Sequence, residues 1–202
     1  YIVENAVGGY LEDVKENLGY NELPDIAEAN SESWKTRYTK QHLDFYDRYE
    51  EKLKNIKILD PACGSGAFLN QAFDYLLEEH QWLNKQRDIL KDRYMSIDSL
   101  ESMQKDILKN NLFGVDLNEE SVEITKLSLW LKTANKNKPL TNLDDNIKCG
   151  NSLIDDSEIA GEKAFKWEEE FENAIKHHNK LKTDVSLLSL EEYNNKSVNT
   201  GA

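Results

Sequence analysis

The stretch Asp60-Pro61-Ala62-Cys63-Gly64-Ser65-Gly66 decides the fold; Ile56, Ile58 and Leu59 precede it, and Phe68, Leu69, Ala72, Phe73, Leu76 and Leu77 follow. A short apolar run ending in an acid, then a glycine turn, then apolar residues at helical spacing predict strand, tight turn and helix. Glycines in such a turn let backbone approach a ligand closely, at the carboxyl end of a strand where open parallel sheets bind their ligands. Two phosphate-binding alternatives do not fit. A P-loop requires Gly-Lys-Ser/Thr, and the dinucleotide fingerprint wants a third glycine where this chain has Leu69.

Moving toward the C-terminus, Leu112-Phe113-Gly114-Val115 forms a second apolar run that again closes on an acid, Asp116. An acid at the end of the second strand suits the vicinal hydroxyls of a nucleoside ribose. The usual gap from the glycines is about 20 residues, whereas Gly66 and Asp116 lie 50 apart. The reading therefore requires a helical insertion at about 80–108, of which 80–98 are charged and without clear period. Glu119 and Glu120 open a third helix at its positive dipole end, and Val122, Ile124, Leu127, Leu129, Trp130 and Leu131 make it too apolar to face water. Asn146-Ile147-Lys148-Cys149 reads as a third strand leading into Gly150-Asn151-Ser152-Leu153. Strand and helix alternate, which predicts an α/β fold with a parallel, doubly wound sheet.

Toward the N-terminus, Ile2, Val3, Ala6, Val7, Tyr10, Leu11, Val14 and Leu18 repeat at helical spacing, interrupted by Gly8 and Gly9, which predicts a broken helix. Leu43, Tyr46, Tyr49 and Leu53 mark a second amphipathic helix. The organisation expected is an N-terminal helical segment over 1–55, an α/β core over 56–155, and an acidic, partly mobile C-terminal segment over 156–202. In that last segment Ala164, Phe165, Trp167 and Phe171 form one apolar cluster, expected to dock loosely. Cys63 and Cys149 are too few for a disulfide framework, and His42, His80, His177 and His178 lack metal-site spacing, so no protein-bound metal is expected. Cys63 reads as a buried small residue, not a nucleophile, and Glu168-Glu169-Glu170 as a solvated face. No apolar stretch approaches membrane-spanning length and no basic-then-apolar leader opens the chain, which predicts a cytoplasmic protein. The net charge of −13 argues against this chain gripping a phosphate backbone by itself. A first residue of Tyr1 inside an amphipathic pattern suggests a piece of something longer.

Three blocks in order resemble a known family, the adenine-N6 DNA methyltransferases found within large bifunctional restriction-modification polypeptides of the type IIG/IIS-like kind. They are Asp60-Pro-Ala-Cys-Gly-Ser-Gly-Ala-Phe-Leu69, Phe113-Gly-Val-Asp-Leu-Asn-Glu-Glu-Ser-Val-Glu-Ile-Thr-Lys-Leu-Ser-Leu-Trp-Leu131 and Ile147-Lys-Cys-Gly-Asn-Ser-Leu153. The resemblance implies a partial Rossmann-like, S-adenosylmethionine-dependent methyltransferase fold, with N-terminal helices beside the parallel sheet. It further implies that Asp60, Ala62 and Gly64 line the methionine end of the cofactor, with Cys63 contributing backbone. Asp116 is implied to hold the ribose, Leu117 to pack on adenine and Asn151 to reach its amino group, with Gly66, Phe68 and Leu153 completing the pocket. The family commonly has Asp where this chain has Asn151, which keeps the acceptor oxygen and loses the charge.

The family's catalytic loop, Asn/Asp-Pro-Pro-Tyr/Phe, receives the adenine amino group and stacks on a base flipped from the duplex. The prolines here are Pro24, Pro61 and Pro139, so no such loop exists in this sequence and no catalytic residue is assigned. A Tyr-Thr-Pro segment that closes over the methionine is also absent. DNA is thus expected to be held by regions outside this chain. Without a fourth strand the first becomes an exposed sheet edge, open to self-association. Two alternatives share the glycine block: methylation of RNA or of a protein side-chain amide, and a non-catalytic interaction module with an empty site.

Overall fold

The computed structural model describes residues 1–25, 37–90, 99–134, 141–161 and 164–172. Three short parallel strands form its sheet: β1 (Ile58–Asp60), β2 (Leu112–Asp116) and β3 (Ile147–Cys149), in the order β1-β2-β3. Asp60 pairs with Gly114 and Asp116 with Cys149, so the two acids close neighbouring strands on the same edge of the sheet. Helices precede and follow the strands: α1 (Gly9–Asn17), α2 (Arg37–Asn55), α3 (Ala67–Ile89), α4 (Leu100–Asp106), α5 (Glu119–Lys132), α6 (Ser157–Ala160) and α7 (Trp167–Glu170). Strand, helix, strand, helix, strand in parallel pairing is the expected partial Rossmann-like arrangement.

The alternation of side chains along β2 sorts the core into two layers. Gly114 faces the crossover helices so closely that a Cβ there would stand 2.8 Å from Leu69 Cδ1 and 3.1 Å from Cys63 Sγ. On this side Leu112, Ile58, Leu69, Val122 and Leu129 join α1 and α2 in one buried cluster. Phe113 and Val115 point to the opposite face, where Phe165 and Phe171 cover them. At the amino-terminal edge of the sheet two buried asparagines satisfy carbonyls that would otherwise be orphaned. Asn111 Nδ2 donates to Leu53 and Ile56 at 2.9 and 2.8 Å, and Asn146 Nδ2 donates to Leu112 at 2.9 Å.

Three expectations change, and one stretch without a clear period proves helical. The N-terminal helix is not broken at its glycines: a π-helical turn (Glu4–Gly8) runs straight into α1, with Gly8 and Gly9 both helical. Gly8 makes room for Tyr75, whose hydroxyl would lie 2.7 Å from a Cβ there. Residues 80–89, which lack an obvious period, continue α3, whose inner face buries His80, Leu83 and Arg87. Polar residues on that stripe hide the period: Arg87 is buried because Asp47 and Glu50 of α2 each accept from it at 2.9 Å. Residues 91–98, the rest of the insertion's charged part, lie outside the described residues.

The helix expected to be wholly buried is not. Ile124, Leu127 and Leu131 of α5 are more than half exposed and Trp130 is half-buried, while Val122, Thr125, Lys126 and Leu129 face inward. Its apolar residues go all round, so composition could not tell which stripe the core would take. The C-terminal cluster docks firmly, since Phe165 is buried on the second face and a Cβ on Gly150 would meet its ring at 2.5 Å. Residues 173–202, most of the C-terminal segment expected to be partly mobile, lie outside the described residues.

Candidate functional site

Each strand ends in, or is followed within two residues by, a residue that turns the chain by accepting from the amide two positions on, the hydrogen bond that Asx side chains supply in turns. Asp60 Oδ1 accepts from Ala62 N at 3.1 Å, Asp116 Oδ1 from Asn118 N at 2.9 Å, and Asn151 Oδ1 from Leu153 N at 3.1 Å. These three turns set side by side the loops that leave the carboxyl edge of the sheet. Asn118 goes on to cap α5, its side chain accepting from Ser121 N at 3.2 Å.

Asp116 ties the site together. Its second oxygen accepts from Gly64 N at 2.8 Å, across 52 residues of sequence, and its own carbonyl accepts from Gly150 N at 2.9 Å. Cys63 N donates to the Val115 carbonyl at 2.9 Å, and Gly66 N closes the turn onto Cys63 O at 2.8 Å. The 50-residue separation that looked anomalous in sequence thus disappears in space. A carboxylate oxygen has about two acceptor positions, so each Asp116 oxygen can still take a ligand hydroxyl.

The glycine loop adopts conformations that L-residues resist. Gly64 has φ 53° and Gly66 φ 82°, both left-handed. The two differ in surroundings. A Cβ on Gly66 would collide with Thr125, at 2.8 Å from Cγ2, whereas a Cβ on Gly64 would meet nothing within 4 Å. The space in front of Gly64 is open, as a close-fitting ligand requires.

Of the residues expected in the pocket, Asp60, Ala62, Cys63, Gly64, Gly66 and Asp116 come together in this one network. Leu117, half exposed, follows directly, and its carbonyl lies 3.6 Å from the Cys149 thiol. Asn151 lies beyond β3, bridged to Ala164, with its acceptor engaged in its turn. Phe68 packs against the main core from the first turn of α3, and Leu153 stands 91% exposed. Cys63 is buried, and burial pushes its thiol up to about 11, so it is no thiolate at neutral pH. Sequence reasoning missed Cys149, Thr125 and Asn118. Asn118 was legible as an N-cap before Glu119, and Thr125 as a polar residue in an apolar helix.

Comparison with known proteins identifies a family. The profile of the MmeI DNA-methyltransferase domain family matches residues 32–193, most of the chain. The chain belongs to this family. Relatives of the MmeI-type domain carry matching functions in their names. A candidate type II restriction enzyme and methyltransferase of Methanocaldococcus jannaschii is 36% identical over 117 residues, covering 52% of this chain and 9% of the relative. An adenine-specific methyltransferase, PglX, of Lacticaseibacillus casei is 28% identical over 142 residues, covering 68% of this chain and 11% of its own. The type II restriction enzyme and methyltransferase Eco57I of Escherichia coli is 32% identical over 126 residues, covering 52% and 12%. The chain therefore spans about a tenth of the length of these curated relatives. No solved structure matches it.

Proposed function

We propose that this MmeI-type domain is the S-adenosylmethionine-binding part of a site-specific DNA adenine-N6 methyltransferase working in a restriction-modification system. The observation that carries the proposal is the Asp116 carboxylate, which bonds the Gly64 amide at 2.8 Å while closing the strand next to the one that Asp60 ends. Two acids beside a glycine backbone with open space in front of it form the donor and acceptor set that a charged nucleoside with vicinal hydroxyls needs.

In this proposal Asp116 accepts from the ribose hydroxyls, Asp60, Ala62 and Gly64 border the methionine end with the Cys63 backbone, and Leu117 packs on adenine. Asn151 turns toward the adenine amino group, while Gly66, Phe68 and Leu153 frame the pocket. The cofactor supplies a methyl group already activated by its sulfonium charge, so this chain's residues contribute binding and orientation more than acid-base chemistry.

The base is received elsewhere. This sequence has no Asn-Pro-Pro-Tyr loop, and a net charge of −13 is unsuited to gripping DNA. Both functions fall to other parts of a longer protein, which by likeness to two of the relatives joins methylation to an endonuclease and acts in the cytoplasm. Residues 1–55 serve as a helical buttress for the 56–155 core. The sheet pairs β1 on one side only among the described residues, and that edge is available for strand pairing with a second copy. A strictly monomeric sedimentation profile at high concentration would remove that element.

Calorimetric titration of the full-length protein with S-adenosylmethionine and S-adenosylhomocysteine tests the assignment. Asp116→Ala is expected to weaken both ligands by about tenfold or more, since it removes charge-assisted hydrogen bonds of roughly 1.5–3 kcal/mol. Unchanged affinity sinks the ribose assignment. The 202-residue chain alone is expected to transfer no methyl to unmodified plasmid DNA, and robust incorporation would overturn that.

A further inference from the structure

Thr125 is fully buried on α5, between Val122 and Leu129 in the stripe that faces the sheet. Its hydroxyl donates to the Gly64 carbonyl at 2.8 Å. Its methyl occupies the volume beside Gly66, 2.8 Å from where a Cβ would stand. A second tie runs from α3: Asn70 Nδ2 donates to the Gly66 carbonyl at 2.9 Å and to Ser128 Oγ at 2.8 Å. Ser128 Oγ in turn donates to the Thr125 carbonyl at 2.9 Å. The Gly64 carbonyl is thereby held by a side chain of α5, and the Gly66 carbonyl, which accepts the first helical bond of α3 from Asn70 N at 2.8 Å, by a side chain of α3 as well.

We infer that Thr125, supported by Asn70 and Ser128, is a positioning residue that locks the glycine loop in its cofactor-binding conformation and so sets cofactor affinity. The inference rests on the cofactor assignment proposed above. In a trans peptide the carbonyl and the following amide point in opposite directions. Anchoring the Gly64 carbonyl on α5 therefore directs the Ser65 amide away from that helix, and anchoring the loop also presents the Gly64 amide to Asp116. A loop rich in glycine has many conformations to lose. Holding two of its carbonyls before the ligand arrives removes part of that entropic cost from binding.

The test is calorimetric titration with S-adenosylhomocysteine, together with thermal unfolding, on the full-length protein and its T125V, T125S and N70A variants. T125V keeps the shape of the side chain and removes the hydroxyl; it is expected to raise Kd about tenfold. T125S restores the hydroxyl without the methyl and recovers most of the affinity, which a packing role would not allow. N70A is expected to raise Kd by about threefold or more and carries the test should T125V lose cooperative unfolding. Equal weakening by T125V and T125S, or wild-type affinity in T125V or N70A, overturns the inference. Failure of the wild-type protein itself to bind overturns the cofactor assignment and this inference with it, whereas binding with insensitive variants overturns this inference alone.

Discussion

Gly64 and Gly66 provide a controlled pair, because alanine at either one faces the same backbone penalty and only one faces a collision. Both have positive φ, 53° and 82°, where an L side chain costs about 1–2 kcal/mol. At Gly64 that is the whole cost to the fold, since an added Cβ meets nothing within 4 Å. At Gly66 the Cβ would stand 2.8 Å from Thr125 Cγ2 and 2.9 Å from its Oγ1. Thr125 is fully buried and cannot swing away, so overpacking adds roughly 1–3 kcal/mol. Gly64→Ala should thus destabilise by about 1 kcal/mol and Gly66→Ala by about 3 kcal/mol, or ~2–4 °C and ~6–12 °C in Tm for a domain of this size. Binding should reverse the weight of the first change: the Gly64→Ala methyl enters the open space assigned to the cofactor and should raise Kd by about tenfold or more. Thermal unfolding followed by tryptophan fluorescence, paired with S-adenosylhomocysteine titration, reads both quantities. Equal destabilisation by the two variants, or full affinity in Gly64→Ala, would refute the reasoning.

Arg87→Ala should destabilise by about 3 kcal/mol, the low end for breaking a buried pair, because Asp47 and Glu50 keep access to water once the guanidinium is gone; urea unfolding measures it. Burial by itself would raise the Glu50 carboxyl, but hydrogen bonds from Lys54 and Arg87 outweigh it and hold the group below its ordinary value. Its stabilisation is therefore fully present above the unfolded value of about 4.3 and is lost as pH falls through the lower folded one, so Glu50→Gln should flatten the acid limb of the urea midpoint against pH below ~4.5. A chromogenic disulfide at pH 8 should titrate one thiol promptly, the exposed Cys149, and reach Cys63 only on unfolding, because that thiol is both buried and pushed up to about 11.

Much of this site could be read before any coordinates. Asp60 and Asp116 each end an apolar run, the glycines follow the first at once, and the alternation of run and helix forces parallel pairing. Local periodicity and turn chemistry are short-range signals, and they survive in one dimension. Helix α3 shows where such signals fail: its extension past His80 buries Arg87, a residue that patterning assigns to water until two carboxylates on α2 are known to meet it.

The sequence by itself determined the fold class, the three strands, the acids that close the first two, and the glycine turn after the first, because each depends on residues within a few positions of one another. Only the tertiary structure decided that a gap of 52 residues closes into one hydrogen bond between Gly64 and Asp116. It also decided which stripe of α5 faces inward, and that Thr125 on that stripe grips the glycine loop. Those outcomes depend on which surfaces meet, and contacts between distant segments leave no period in the chain.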